Sequence, residues 1–206
     1  MGAGGELGGK AEYAPRVLIS AQYLVDRLRH PRSRADEVAA LRRRFARAPG
    51  PGAASAEEVE VAAELLRLRR ALVDALAGVE SCGGCSRGHP LPHGRWSGGH
   101  CCGTRTELVF TDDEVGALRL SGTTPARLTP PEGDHAGCAF RGPTGCSLGP
   151  EDRPSICVRF ICRELEAELS ARGDRRAVKA IAAELGRAFE RWRRLRAART
   201  GAEEGP

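Results

Sequence analysis

All eight cysteines fall between Cys82 and Cys162, with none in the first 81 residues or the last 44. They run Cys82-x2-Cys85, the adjacent pair Cys101-Cys102, then Cys138, Cys146, Cys157 and Cys162. A thiolate is a soft, charged ligand that suits zinc, copper(I) and iron–sulfur clusters. A C-x2-C turn lets two sulfurs reach one metal. Four sulfurs close a tetrahedral zinc site at about 2.3 Å, and four also hold an iron–sulfur cluster. The eight therefore suffice for two four-sulfur sites, or for one with four left over. Adjacent Cα atoms stand about 3.8 Å apart, below the disulfide range of roughly 4.4–6.8 Å, so Cys101 and Cys102 do not bridge each other. In extended backbone their sulfurs point to opposite sides and serve two sites; in a turn they face one. The extended form is the expectation.

Around the cysteines a longer pattern keeps a fixed order. It comprises Cys101-Cys102, the acidic run Thr111-Asp112-Asp113-Glu114 with Leu118, Cys138-x-Phe140, Gly145-Cys146, Arg153-Pro154-x2-Cys157-x2-Phe160, and Cys162. This resembles the YkgJ-type cysteine-cluster family, described as zinc- or iron-chelating proteins, over roughly Cys82 to Cys162. The Arg-Pro-x-x-Cys-x-x-Phe-x-Cys ending is the most specific part. The resemblance implies that all eight cysteines are metal ligands and leaves zinc and iron both open. In the family the first cysteines run C-x2-C-x2-C-C, whereas here residues 86–100 intervene and carry His89, His93, His100 and Trp96. His100, directly before Cys101, is the best candidate for an additional ligand. Position 158, often Arg in the family, is Val158, with Arg159 next to it. Arg153 is expected to anchor loop carbonyls or offset thiolate charge beside the metal at short range.

Helical supports are expected on either side of this core. Residues 1–14 are Gly-rich and read as a disordered tail. Val17, Ala21, Leu24 and Leu28 recur at helical spacing and stop at Pro31. A second helix is expected over Ala35–Ala48, with Val38, Leu41 and Phe45 on one side and Pro49-Gly50-Pro51-Gly52 as the break. Ser55 and Glu58 form a capping box for a third helix, whose stripe runs Val61, Leu65, Leu68, Leu72, Leu76 and Val79. Thr106–Phe110 reads as a short strand and Thr111 as the N-cap of a helix with acidic first-turn residues. Residues 121–137 read as loop. The stretches around Cys138-Ala139-Phe140 and Cys146-Ser147-Leu148 are expected to pair across Gly142–Gly145. A short helix from Cys162 to Ala171, interrupted by Gly173, precedes a final helix with Val178, Ile181, Leu185, Phe189, Trp192 and Leu195 on one face. That helix is expected to end near Thr200, with Gly201 as its cap.

The fold class is thus mainly α: a helical scaffold flanking a loop-rich cysteine core with one or two short β-hairpins. The expected organisation is a tail (1–14), a helical N-terminal region (15–80), the cysteine core (81–165), a C-terminal helical region (166–199) and a frayed end (200–206). The chain of 206 residues is long enough to bury a core without cross-links, although 26 Gly, 13 Pro and 4% aromatics leave much of it irregular. Its net charge of +5 is local: residues 170–199 carry ten basic side chains against three acidic. Nearly all the cations are Arg, as codon bias gives, and the stretch reads as a solvated helix face rather than a nucleic-acid surface. No apolar run approaches the roughly 18–20 residues of a membrane span, and the N-terminus does not read as a signal peptide. A cytoplasmic setting is expected, where clustered thiols serve as ligands or redox groups rather than disulfides.

No dinucleotide fingerprint, phosphate loop or nucleophile elbow occurs. The leading expectation is a metal-chelating cysteine-cluster protein binding zinc or an iron–sulfur cluster. The alternatives are an iron–sulfur-dependent oxidoreductase or protein-modifying enzyme, with no general base indicated, and a structural-zinc module that engages a protein partner.

Overall fold

The computed structural model describes residues 33–81, 105–132, 137–142 and 145–203. The helix expected before Pro31, all five histidines, and Cys82, Cys85, Cys101 and Cys102 lie outside the described residues. What is described is mostly helical.

Helix α1 (Arg34–Arg47) starts where Ser33 Oγ accepts the Asp36 N–H at 3.1 Å, and it buries Val38, Leu41 and Phe45. Helix α2 (Ala56–Ala75) opens on a complete capping box. Ser55 Oγ accepts from the Glu58 N–H at 3.2 Å, and Glu58 Oε2 accepts from the Ser55 N–H at 2.8 Å. Arg199 reaches the same carboxylate oxygen at 2.9 Å, so the box is tied to the far end of the chain. The stripe Val61, Leu65, Leu68, Leu72 is buried. The helix stops at Leu76, a turn short of Val79, because Gly78 takes a φ of +75° that ends the helical path.

Residues 106–110 are a turn of helix, α3 (Thr106–Val109), not the expected strand. The Phe110 N–H bonds the Thr106 carbonyl at 3.0 Å, which buries Thr106, Val109 and Phe110 together on one side. Alternation would have exposed one of the last two. Burial of Thr106, Val109 and Phe110, at i, i+3 and i+4, is the helical pattern.

Helix α4 (Asp112–Leu120) is capped by Thr111, whose Oγ1 accepts from the Glu114 N–H at 3.3 Å. A two-residue antiparallel ladder then pairs Arg141 with Cys146 and Gly142 with Gly145, too short to form a sheet of consequence. Helices α5 (Ser155–Arg159) and α6 (Arg163–Arg172) follow. Gly173, at φ +79°, closes α6 in the left-handed conformation. Helix α7 (Arg175–Glu203) runs through Gly201 rather than stopping there; one glycine in a long helix costs only about 1 kcal/mol.

Two hydrophobic clusters form the core. The first joins α1 to Val109, Phe110, Val115, Leu118, Leu128, Leu148 and the segment Cys138–Phe140. Its centre is a chain of rings, Phe45 to Phe110 to Phe140, with centroids 6.3 and 5.5 Å apart and tilted as aromatic quadrupoles prefer. The second packs α2 against α7, with Ala117, Val158, Leu165 and Leu169 between them. Helix α4 serves both: Val115 and Leu118 face the first cluster and Ala117 the second. Each cluster draws on residues from both sides of residue 81.

Gly116 lets α4 approach α7. A Cβ there would stand 3.2 Å from Trp192 Cζ2 and 2.8 Å from Arg196 Nη1. Trp192 is buried, and its Nε1 donates to the Asp113 carbonyl at 2.8 Å.

Six of the nine α7 cations form ion pairs within the described residues. Arg175 and Lys179 meet Glu166, Arg191 meets Glu64, Arg193 meets Glu190 and Asp113, Arg196 meets Asp113, and Arg199 meets Glu58. Most of these pairs are exposed and add little stability, but together they neutralise much of the stripe's charge. Among the described residues no helix is long and apolar enough to cross a membrane.

Candidate metal centre

The four described cysteines divide three and one. Cys138, Cys146 and Cys157 all belong to or pack against the first cluster, whereas Cys162 packs against the second. None of the four is in a disulfide.

Cys138 lies in a tight turn after Gly137, and its carbonyl accepts from the Arg141 N–H at 3.1 Å, which sets up the ladder that carries Cys146. Its sulfur accepts a hydrogen bond from the Phe140 N–H, and Thr106 Oγ1 lies 4.0 Å away. Thr106 in turn accepts from the Ala139 N–H at 2.9 Å and donates to Glu37 on α1. Burial pushes the Cys138 thiol up to about 12, and the charges of Cys146 and Glu37 add to the rise. The Phe140 N–H hydrogen bond opposes it and loses. Metal-free Cys138 is therefore a protonated thiol at neutral pH.

Cys162 is the N-cap of α6, a place usually taken by Ser, Thr, Asp or Asn. Its sulfur accepts from the Leu165 N–H at 3.4 Å and from the backbone of Glu164. Burial nevertheless raises its thiol above the ordinary value.

Sulfur that receives backbone N–H groups is the arrangement a metal-bound thiolate needs, since the N–H dipoles share its charge. Cys138 and Cys162 both have it, so the donor chemistry fits a soft metal. Among the described residues, however, no group of three or more Cys, His, Asp or Glu is spaced to hold a metal. Of the expected ligands, Cys82, Cys85, Cys101, Cys102 and His100 lie outside the described residues.

Arg153 donates from Nε to the Leu148 carbonyl at 2.9 Å and from Nη2 to the Cys146 carbonyl at 3.5 Å. It ties the strand bearing Cys146 to the start of α5, which bears Cys157. A second brace was not anticipated. Arg34, buried at the start of α1, donates to the Pro131 carbonyl at 2.7 Å and the Arg141 carbonyl at 3.1 Å, pinning both flanks of Cys138.

The largest omission is a polar network inside the core. Glu114 is 3% exposed and Arg69 fully buried. Glu114 Oε2 accepts from the Ser155 N–H at 3.0 Å and Ser155 Oγ at 3.2 Å, and the carboxylate also receives the Ile156 N–H. Arg69 Nη2 donates to Ser121 Oγ at 3.0 Å, while its Nε and Nη1 have no hydrogen-bond partner. Burial pushes Glu114 up to about 7 despite three hydrogen bonds and the Arg69 charge. Desolvation likewise brings Arg69 down to about 10, against the attraction of Glu114 and Asp152. Asp152 is itself held by Thr123 Oγ1 at 2.8 Å and Arg127 at 3.0 Å.

Two shallow depressions lie elsewhere. One of about 390 Å³ is on the outer face of α2 between Arg67 and Asp74; one of about 250 Å³ is bounded by Asp113, Arg193 and Arg196. Neither is lined by a cysteine.

No protein-family model, curated protein or solved structure matches the chain.

Proposed function

We propose that the chain is a cytoplasmic metal-chelating protein of the YkgJ type, whose cysteine-rich core binds zinc or an iron–sulfur cluster. The observation that carries this reading is the seat of Cys138: a buried sulfur that receives a backbone N–H, beside Cys146, with Cys157 on the same hydrophobic cluster. Uncompensated, a thiol so desolvated keeps its proton; a metal replaces that proton and makes the thiolate a ligand. The remaining donors are Cys82, Cys85, Cys101 and Cys102, with His100 as a candidate addition and Cys162 as a ligand on the α6 side. The chain leading to Cys82 starts from that side, because Glu168 of α6 accepts from the N–H groups of Glu80 at 2.8 Å and Ser81 at 2.9 Å. The loop-rich core then owes its order to metal as well as to the two hydrophobic clusters.

Elemental analysis and visible absorption of protein purified without air test this. Stoichiometric zinc in colourless protein, or iron with acid-labile sulfide in coloured protein, is the expected result. Native protein with eight freely titratable thiols and no bound metal overturns the reading.

A further inference from the structure

Helix α5 is a single turn that connects the two halves of the core. Cys157 packs against the first cluster, while Val158, one residue on, belongs to the second. So short a helix has little stability of its own, and nothing local caps its start. Pro154 occupies the N-cap position and offers no side-chain acceptor. The first N–H groups of any helix need partners, and those of Ser155 and Ile156 find theirs in Glu114, on another helix. The hydroxyl of Ser155 bonds the same carboxylate oxygen as its N–H.

Glu114 had a local alternative. With Thr111 it forms the Thr-x-x-Glu signature of a capping box, and the Thr111 half of the box is made. In α2 the equivalent Glu58 returns to its own N-cap N–H. Glu114 instead extends into the core, within the field of the buried Arg69 charge.

We propose that Glu114 is the positioning residue of the cysteine centre: by capping α5 from another helix it sets where the Cys157 sulfur stands. This rests on the metal-chelating reading. Arg153 braces the same helix start from the other side, through the Leu148 and Cys146 carbonyls. Loosening the Glu114 cap therefore displaces Cys157 from a seat whose other walls remain in place.

The test uses the full chain, reduced and stripped of metal, with iodoacetamide alkylation of each cysteine followed by mass spectrometry. The reading is the rate at Cys157 divided by the rate at Cys146, because global unfolding moves both. Glu114→Ala should raise that ratio about tenfold, the scale of losing a buried hydrogen-bonded acceptor. Glu114→Gln, whose amide oxygen still accepts from Ser155, should restore most of it. Leu185→Ala, a core truncation in α7, should leave the ratio unchanged. Should Glu114→Ala fail to fold, Glu114→Asp carries the test, since it keeps the charge but falls one methylene short of Ser155; the same rise is expected. An unchanged ratio in the folded variant overturns the proposal. A parallel titration with Cd2+, read by its thiolate charge-transfer band, should show weaker binding in Glu114→Ala and near-normal binding in Glu114→Gln. If the unaltered protein binds no Cd2+, the metal reading fails, while the alkylation ratio still decides the role of Glu114.

Discussion

Replacing Glu114 by Gln should change how stability depends on pH, with a sign and size the structure fixes. Burial raises the Glu114 carboxyl from 4.5 to about 7 in the folded chain. The folded state thus holds this proton more tightly than the unfolded state. Its contribution is fully present below about pH 4.5, declines as pH rises toward 7, and is gone above that. At about 1.4 kcal/mol per pH unit the full swing is about 3 kcal/mol. The other strongly shifted groups lie outside this window. Arg69, brought down to about 10, stays charged throughout; Cys138, at about 12, stays protonated. Glu151, Glu166 and Glu168 are lowered below the ordinary carboxylate value and titrate at more acid pH. Urea unfolding of metal-free protein, followed by far-UV circular dichroism at pH 5 and pH 8, is the assay. Glutamine imitates the protonated acid. The stability of Glu114→Gln relative to the unaltered chain should therefore rise by about 2–3 kcal/mol between the two pH values. Parallel curves would show that burial does not control this carboxyl. A change of opposite sign would show that Arg69 and the three donors outweigh desolvation.

Four shorter tests follow. Phe140→Ala removes the end of the Phe45–Phe110–Phe140 chain and should cost about 3–5 kcal/mol in urea unfolding; a loss under 1 kcal/mol contradicts the close packing described. Ser55→Ala should cost about 1 kcal/mol, measured the same way, because the Glu58 N–H loses its acceptor. Gly116→Val should push α4 off α7 and shift tryptophan emission to longer wavelength as Trp192 becomes wetter; an unaltered spectrum and midpoint would mean the contact at Gly116 is not tight. The metal-chelating proposal requires that a chelator lower the thermal midpoint and that zinc or cluster reconstitution restore it, because a ligand that binds only the folded state adds to its stability; an unchanged midpoint contradicts that proposal.

Periodicity revealed the scaffold because most of its helices bury a continuous stripe and carry local caps. The α1 and α2 boundaries fall within a residue or so of the expected starts, where Ser33 and Ser55 accept from the third residue on. The segment Thr106–Val109 was misread because four residues are too few to distinguish a period of two from one of 3.6. The loop-carbonyl contacts of Arg153 were legible from its place before Pro154 and Cys157. The brace from Arg34 was not: its partners at Pro131 and Arg141 are about a hundred residues away along the chain, and a lone Arg at a helix start carries no signal of burial.

The same four-residue signature opens both α2 and α4 and has two outcomes. Ser55-x-x-Glu58 closes on itself, while Thr111-x-x-Glu114 opens toward a helix 41 residues further on. The signature alone does not separate these, because the deciding factor is what lies beside the glutamate once the chain is folded. Here it is a one-turn helix with Pro154 at its cap and a cysteine in its third position. Burial disfavours the charged forms of both Glu114 and Arg69, and replacing buried charges by apolar groups of similar volume is often neutral or stabilising. On the proposal above, the carboxylate contributes the placing of α5 relative to the Cys138 and Cys146 wall, a defined sulfur position rather than stability. Replacing Glu114 by Leu and Arg69 by Met separates the two demands: stability should hold or rise, while the ratio of alkylation at Cys157 to that at Cys146 should rise as it does in Glu114→Ala.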